Sequence, residues 1–253
     1  MSFDLTGRRA LVTGASRGIG RAIAIAYAQA GADVAILARN TELLDEVAAE
    51  VAQLGRRAVV SAVDVLDADA TRAAVSAAIG ELGGLDILVN NAGGNSFSIP
   101  VAQMRMSGWE KTMRLNLDSV MHITQAALPA LAEGDGGSII NISSVAGLRG
   151  APTMAHYGAA KAALLSLTQS LALEVAWMGV RVNALVPGWI ETDLTDFLRA
   201  SEQTEQGTLS RVPMQRWGRA EEIAEPAVFL ASSASAFMTG QSLVIDGGLS
   251  AMP

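Results

Sequence analysis

The 253-residue chain contains no cysteine. Disulfides, a thiol nucleophile and a thiolate metal site are thereby excluded. Its two histidines, His122 and His156, are too few for an ordinary zinc site, so no metal is expected. Aromatic residues make up only 4% of the chain, so the core must be built from aliphatic side chains. Abundant Ala and Gly suit close packing of helices on a sheet. An excess of positive charge is missing too: the formal net charge is −7, which argues against nucleic acid as a partner. Ala227–Ile245 carries no charge, but Ser232, Ser233, Ser235, Thr239, Gly240, Gln241 and Ser242 interrupt it. It reads as helix, turn and buried strand rather than a membrane span. The opening "MSFDLTGRRALV" lacks a basic start followed by an apolar run. The expectation is a soluble cytoplasmic protein with no membrane partner.

Half the residues are hydrophobic and 17% are charged, enough for a substantial core. Short apolar runs alternate with longer helical patterns. The expected strands are Ala10–Thr13, Asp33–Leu37, Ala58–Val63, Ile87–Asn90, Ser138–Ile142, Arg181–Val186 and Ser242–Ile245. The expected helices are Gly18–Ala30, Thr41–Leu54, Ala68–Leu82, Gly108–Ala132, Ala155–Trp177 and Ala220–Ala231. The strands are apolar on both faces, as parallel strands covered on both sides should be. Regular β–α alternation predicts an α/β fold, a doubly wound parallel sheet with helices on both faces, as a single domain over residues 1–253. Residues 190–216 are polar and irregular and are expected to form a lid.

"LVTGASRGIGRAIA" follows the first strand and opens the first helix. Gly14, Gly18 and Gly20 permit a tight turn and a close backbone approach, and a helix N-terminus offers free N–H groups to a pyrophosphate. Ser16 and Ile19 belong to the same loop. The spacing is G-x-x-x-G-x-G rather than the commoner G-x-G-x-x-G, and a plain β–α turn would use the same glycines. The second strand ends in "AILARN". An acidic residue near this point suits a ribose 2′-OH, whereas an Arg suits a 2′-phosphate. Arg39, beside Asn40, and Arg17 in the Gly loop are two guanidiniums able to fork a phosphate dianion, which points to NADP(H) over NAD. An exposed strand-end Arg39 is the alternative.

In "HYGAAKAAL", Tyr157 and Lys161 stand four residues apart and so share a helix face. With no carboxylate near Lys161 until Glu174, a solvated Lys beside a half-buried Tyr is the plain reading. The rest of the chain argues otherwise. "TGASRGIG" (Thr13–Gly20), "NNAG" (Asn90–Gly93), Ser144 in "NISSVAG" thirteen positions before Tyr157, the Tyr157/Lys161 pair, Asn116 in "RLNLDS", and Pro187–Gly188 with Thr192 four residues on occur in order. With this set the chain resembles the classical short-chain dehydrogenases/reductases from Leu5 to about Gly248. "PMQRWGRAEEIA" and "TGQSLVIDGG" bring it nearest to 3-oxoacyl-acyl-carrier-protein-reductase-like members.

That resemblance implies a Rossmann-type seven-stranded sheet and an NADPH-dependent oxidoreductase that interconverts a carbonyl and a secondary alcohol. It implies that Tyr157 is the general acid–base and Lys161 its partner and ribose ligand. Ser144 would orient the carbonyl oxygen, and Asn116 would hold a water that feeds Lys161. A bond from Asn116 to helix backbone at a kink is the alternative. A nearby ammonium lowers a phenol's pKa, so Tyr157 is expected below its ordinary value. Asn91, Ala92, Gly93, Asp64, Val65, Ile190 and Thr192 are the remaining expected cofactor contacts. Asn90 and Asn91 also suit bracing of the central strands. His156 would line the substrate pocket or lie on the surface, and His122 would pack between helices.

The resemblance implies a small carbonyl compound or alcohol as substrate, with a 3-oxoacyl thioester as the leading class. A sugar acid, polyol, steroid or small ketone is the alternative, and a catalytically silent NADP-binding regulator is the reading of another kind. Gly94, Asn95, Ser96, Val145, Met154, Trp189 and Leu194–Val212 are the expected pocket, with Arg105, Arg149 and Arg199 as candidate cations. The helices at about 108–132 and 155–177 are apolar nearly all round, and the family resemblance implies a homotetramer built on them.

Overall fold

The computed structural model describes residues 3–134 and 136–252. Seven strands form one parallel sheet: β1 (Arg9–Thr13), β2 (Asp33–Ala38), β3 (Ala58–Ala62), β4 (Ile87–Asn90), β5 (Gly137–Ile142), β6 (Val180–Pro187) and β7 (Ser242–Ile245). Their spatial order is β3-β2-β1-β4-β5-β6-β7. The helices are α1 (Gly18–Gln29), α2 (Thr41–Gln53), α3 (Ala68–Leu82), α4 (Met106–Met113), α5 (Ser119–Glu133), α6 (Ala155–Val175), α7 (Asp196–Arg199), α8 (Glu202–Leu209) and α9 (Glu221–Ala231).

Strand side chains alternate between two cores. Ala10 and Val12 face Ile23 and Tyr27 of α1, Leu44 of α2 and Ile223 of α9. Leu11 faces the other way, with Val75 of α3, Ile123 of α5 and Ala172 of α6. This is the doubly wound arrangement expected from the alternation. Helix starts are capped locally: Asn40 Oδ1 accepts from Leu43 N at 3.0 Å, and Asp67 Oδ1 from Ala70 N at 3.0 Å. After β3 the chain crosses back past β1 to lay down β4. The sheet order therefore reverses at β1/β4, and a crevice opens at the carboxyl ends of those strands.

Two expectations need correction. The helix expected over Gly108–Ala132 begins at Met106 and is interrupted by a π-helical turn at Arg114–Asp118. Two side chains compete with the ordinary ladder there: Asn116 Nδ2 donates to Thr112 O at 3.0 Å, and Ser119 Oγ to Leu115 O at 2.7 Å. The lid segment, expected to be irregular, contains α7 and α8. Their few apolar positions hid the helical period, and only the Ser201 cap, which accepts from Thr204 N at 3.3 Å, signals the start of α8.

Candidate active site

The expected site residues gather at the carboxyl ends of β1, β4, β5 and β6. The loop after β1 holds Gly14 to Gly20. Gly14 has φ +65, and a Cβ on it would lie 2.8 Å from Asn91 Nδ2. A Cβ on Gly20 would strike Gly14 O and the same Asn91 amide, so α1 packs directly on the loop. Unlike α2 and α3, α1 has no side-chain cap, which leaves its first N–H groups to an outside acceptor.

A buried polar network sets the next loop. Thr13 Oγ1 accepts from Asn91 N and Ala92 N, each at 3.0 Å, and Asn91 Nδ2 donates to Thr13 O at 2.8 Å. Asn90 Nδ2 donates to Thr124 Oγ1 at 3.1 Å and to Asn141 Oδ1 at 2.9 Å, and Asn141 Nδ2 donates to Thr168 Oγ1 at 2.9 Å. This chain ties α5, β4, β5 and α6 together beneath the site. Bracing is thus the role of Asn90 and Asn91 visible here. Thr13, Thr124, Asn141 and Thr168 were not singled out from the sequence; the one signal is a polar Asn141 inside the otherwise apolar strand end "IINI".

Ser144 lies two residues past the end of β5, and α6 carries Tyr157 and Lys161. Lys161 is 4% exposed. Its Nζ lies 5.7 Å from the centre of the Tyr157 ring and donates to Ile142 O at 2.8 Å. Burial pushes Lys161 down to about 8. Burial pushes the Tyr157 phenol up to about 12, opposed by the nearby Ser144 hydroxyl. The expected lowering of the phenol is therefore corrected: Lys161 sits over the ring and spends a hydrogen bond on Ile142 O, so desolvation dominates at the hydroxyl.

Gly93 is the meeting point of the two loops. A Cβ there would lie 2.7 Å from Asn116 Oδ1 and 3.4 Å from Lys161 Nζ. Strand β6 ends at Pro187, and beyond it Ile190 is buried and bridges to Gly218. Thr192 Cγ2 would lie 3.2 Å from a Cβ on Gly18, which brings the lid against the Gly loop.

A family profile described as Enoyl-(Acyl carrier protein) reductase matches residues 14–250. The 3-oxoacyl-[acyl-carrier-protein] reductase FabG of Thermotoga maritima is 38% identical over 97% of this chain and 98% of its own length. The gluconate 5-dehydrogenase of Gluconobacter oxydans is also 38% identical, over 98% of this chain and 96% of its own. A crystal structure of a gluconate 5-dehydrogenase from Burkholderia cenocepacia, in complex with NADP and tartrate, superposes with a TM-score of 0.94 at 38% identity. That likeness covers 100% of this chain and 98% of that one. The chain belongs to the short-chain dehydrogenase/reductase family.

As a short-chain dehydrogenase/reductase it is an oxidoreductase, and Asn116 takes the alternative read from the sequence, a bond to helix backbone at a kink. Asn116 is fully buried. Its Oδ1 accepts from Gly94 N at 2.9 Å, and Nδ2 donates to Gly94 O and Thr112 O, each at 3.0 Å. The side-chain amide is thus a brace between the π-turn and the loop after β4, and both of its donors are taken. His156 is on neither the surface nor a pocket wall. It is fully buried and stacks on Phe97, with ring centres 4.2 Å apart and planes inclined by 10°. Its burial lowers its pKa, so the ring is a neutral packing group between α6 and the loop after β4. His122 lies half-exposed on α5, with Nδ1 3.3 Å from Arg72 Nη1 of α3.

Among the expected cofactor contacts, Arg39 is exposed and makes no ion pair among the described residues. Asn40 is the cap of α2. Asp64 is exposed at the end of β3 and accepts from Leu66 N at 3.0 Å, while Val65 is buried. Arg17 Nη1 donates to Asp193 Oδ2 at 2.8 Å. The candidate substrate cations are not gathered at one place. Arg105 is exposed, Arg149 Nη1 donates to Leu249 O at 2.5 Å, and Arg199 is held by Glu191 and Asp196.

No helix among the described residues is long and apolar enough to cross a membrane.

Proposed function

We propose that this enzyme reduces a carbonyl to a secondary alcohol with NADPH, and that its substrate is a 3-oxoacyl thioester or a comparably uncharged ketone. The observation that carries the reaction is the convergence of Ser144, Tyr157 and Lys161 beside Gly93, at the reversal of strand order. The uncapped α1 and the Gly14–Gly20 turn fit a pyrophosphate. Arg39 fits a 2′-phosphate, as does the NADP held by the Burkholderia structure. Lys161 and the 187–192 segment would hold the nicotinamide side, and Asp64, Val65 and Asn91–Gly93 the adenosine.

When bound, the cofactor supplies hydride to the carbonyl carbon. The protein's part is proton and charge management. The Tyr157 phenol, protonated at neutral pH, donates its proton to the carbonyl oxygen. The Ser144 hydroxyl orients that oxygen as an oxyanion donor. Lys161, charged below about 8, steadies the phenolate left behind. Asn116 acts on this chemistry through the loop it braces.

An uncharged substrate is supported by the electrostatics. Among the described residues Lys161 is the only buried cation, and no guanidinium stands free beside Tyr157 to take a carboxylate. Leu194, whose Cδ1 would lie 3.5 Å from a Cβ on Gly94, adds an apolar side chain beside the loop after β4. The second reading, a sugar-acid dehydrogenase, is favoured by the Gluconobacter relative at the same 38% identity as the acyl reductase. The test is NADPH oxidation against an acetoacetyl thioester, a keto sugar acid, a cyclic diketone and a steroid ketone. Turnover of the thioester or a neutral ketone above the sugar acid is expected; the reverse order refutes the substrate class. Tyr157→Phe should abolish turnover while retaining NADPH binding, and a variant with near-normal turnover refutes the mechanism. We also propose a homotetramer. Met121 of α5 and Leu173 and Trp177 at the end of α6 are exposed and apolar, which supports burial against further copies. A monomer in light scattering refutes it.

A further inference from the structure

The acid–base helix α6 is fixed differently on its two sides. Toward β5 it is bonded and wedged: Ser143 Oγ donates to Lys161 O at 2.9 Å, and a Cβ on Gly158 would lie 2.9 Å from Ala146 O. Toward the loop after β4, no hydrogen bond reaches α6 among the described residues. What joins them is one stacked pair, His156 of α6 on Phe97 of the loop. The Phe97 ring also lies against α4, where a Cβ on Gly108 would come within 2.9 Å of its Cζ. Residues on either side of Phe97 are tied to their surroundings: Gly94 by Asn116, and Ile99 by its N, which donates to Thr153 O at 2.7 Å. Thr153 takes φ +65, a strained conformation for a β-branched residue, just before α6 begins. The stack thus bridges the loop to the helix at the residue before Tyr157.

His156 is fully buried, and neither Nδ1 nor Nε2 has a hydrogen-bond partner. A neutral ring leaves one donor and one acceptor unmet there; an imidazolium would leave two donors and a charge. The elements packed on this end of α6 are the loop after β4, α4, the π-turn and the tight turn Val145–Gly147. Arg105, Glu110 and Lys111 at α4 and Arg114 and Asp118 of the π-turn are exposed, while the loop and the 145–147 turn carry no charge. Arg149 is turned to Leu249 O, and on α6 itself Lys161 and Tyr157 titrate near about 8 and about 12. No carboxylate pairs with His156 among the described residues. We propose that His156 and Phe97 are positioning residues for the carbonyl substrate: their stack holds the loop after β4 against α6 while the imidazole is neutral, and protonation of His156 releases the loop and weakens substrate binding. This rests on the active-site reading proposed above, in which that loop and Tyr157 face one substrate. Burial holds the imidazole's pKa below 6.5, against a smaller opposing pull from the Phe97 backbone. The closed loop therefore takes up the proton less readily than the open one, so acid below that value favours the open form.

The test is steady-state kinetics at saturating NADPH, between about pH 7.5 and about pH 5.5, on the unmodified enzyme and on H156F, H156A and F97A, with the carbonyl compound turned over fastest. In the unmodified enzyme KM for that compound should rise as pH falls below 6.5, by up to about ten-fold per pH unit for one proton taken up, while kcat changes less. At the upper pH, H156A and F97A should raise KM by about two- to ten-fold, the worth of an aromatic pair, with kcat nearly unchanged. H156F keeps a ring to stack and has no nitrogen to protonate, so it should recover most of what H156A loses and show no acid rise. The same variant cancels any titration of substrate or cofactor, and it decides the question alone if H156A does not fold. NADPH dissociation constants from fluorescence should agree across the four proteins, which separates a displaced loop from a damaged fold. A KM without an acid rise in the unmodified enzyme, an acid rise that persists in H156F, or a folded H156A with unchanged KM overturns the proposal while leaving the reaction intact. No turnover of any carbonyl compound by the unmodified enzyme overturns the reaction and this proposal with it.

Discussion

Replacing Asn116 with alanine separates a brace from a group that takes part in the chemistry. The side chain makes three hydrogen bonds, all to backbone: one accepted from Gly94 N at 2.9 Å and two donated, to Gly94 O and Thr112 O, at 3.0 Å. Each contributes about 1 kcal/mol net, so the three together are worth about 3 kcal/mol. In a chain of this length 1 kcal/mol corresponds to about 2–4 °C, which gives a fall in melting temperature of roughly 6–12 °C. The kinetic consequence follows from Gly94, the residue released. It carries the loop that holds Asn95 and Phe97 and lies under Leu194, so substrate positioning should suffer before proton transfer does. KM for the carbonyl compound should rise by a larger factor than kcat falls. Asn116→Asp is the companion variant: it keeps an acceptor for Gly94 N but turns a carboxylate oxygen toward two carbonyls, and should also melt early. The assays are thermal unfolding by circular dichroism and steady-state kinetics at saturating NADPH. An Asn116→Ala enzyme that melts with the unmodified protein yet has lost kcat would refute the brace and return Asn116 to the chemistry.

Arg39→Met should lower NADPH efficiency by about 10- to 150-fold, the worth of a charge-assisted hydrogen bond, and leave NADH nearly unchanged; equal losses on both cofactors count against it. Lys161→Met tests the depressed ammonium. The unfolded chain takes up that proton near 10.5 and the folded one only near 8, so folding stability rises with pH between those values, by roughly 3 kcal/mol in all. The chain has only two lysines, Lys111 and Lys161, and its two tyrosines, both pushed up by burial, act in the opposite sense, because the unfolded chain gives up those protons near 10 while the folded one keeps them. The urea midpoint should therefore rise from pH 8 to pH 10 in the unmodified protein and stay level or fall slightly in the variant; a rise that survives Lys161→Met defeats the assignment. At the opposite edge of the sheet, burial of Asp86 raises its pKa, but hydrogen bonds from Arg9 and the charges of Arg9 and Arg8 outweigh it and hold the carboxyl below 3.8. Its stabilisation is thus complete above that value and is lost as pH falls through the folded one. Asp86→Asn should cost roughly 2 kcal/mol at pH 7, less than a fully buried pair because the Arg9 side chain keeps 29% exposure, and should flatten the acid limb of stability against pH. Identical acid limbs in the two proteins exclude this.

The strands were legible because each is a short apolar run bounded by turn residues. β4 and β7 have the bounds their patterns predicted, and the others differ by one residue at one or both ends. Most of the site was legible for a related reason: in a doubly wound sheet the residues just past each strand meet at one edge, so Gly14, Asn91, Ser144 and Pro187 converge through topology alone. The π-turn was legible only as the kink at Asn116 that the sequence offered as an alternative. The reach of Asn116 to Gly94, twenty-two positions away, is encoded in no local period. The ion pair of Arg17 was not legible either: its position in the Gly loop was clear, but its partner Asp193 comes from beyond β6.

Tyr157 and Lys161 show where reasoning from spacing stops. Four residues apart on a helix, they had to share a face, and they do. Spacing says nothing about what the terminal atoms touch, and here the end of β5 supplies Ile142 O as the acceptor for Nζ. That bond fixes the ammonium over the ring rather than against the hydroxyl. The phenol, enclosed and without a cation at its oxygen, is pushed up to about 12, and Lys161 is pushed down to about 8. Near neutral pH the pair is then a protonated phenol above a charged amine. That is the protonation a proton donor requires.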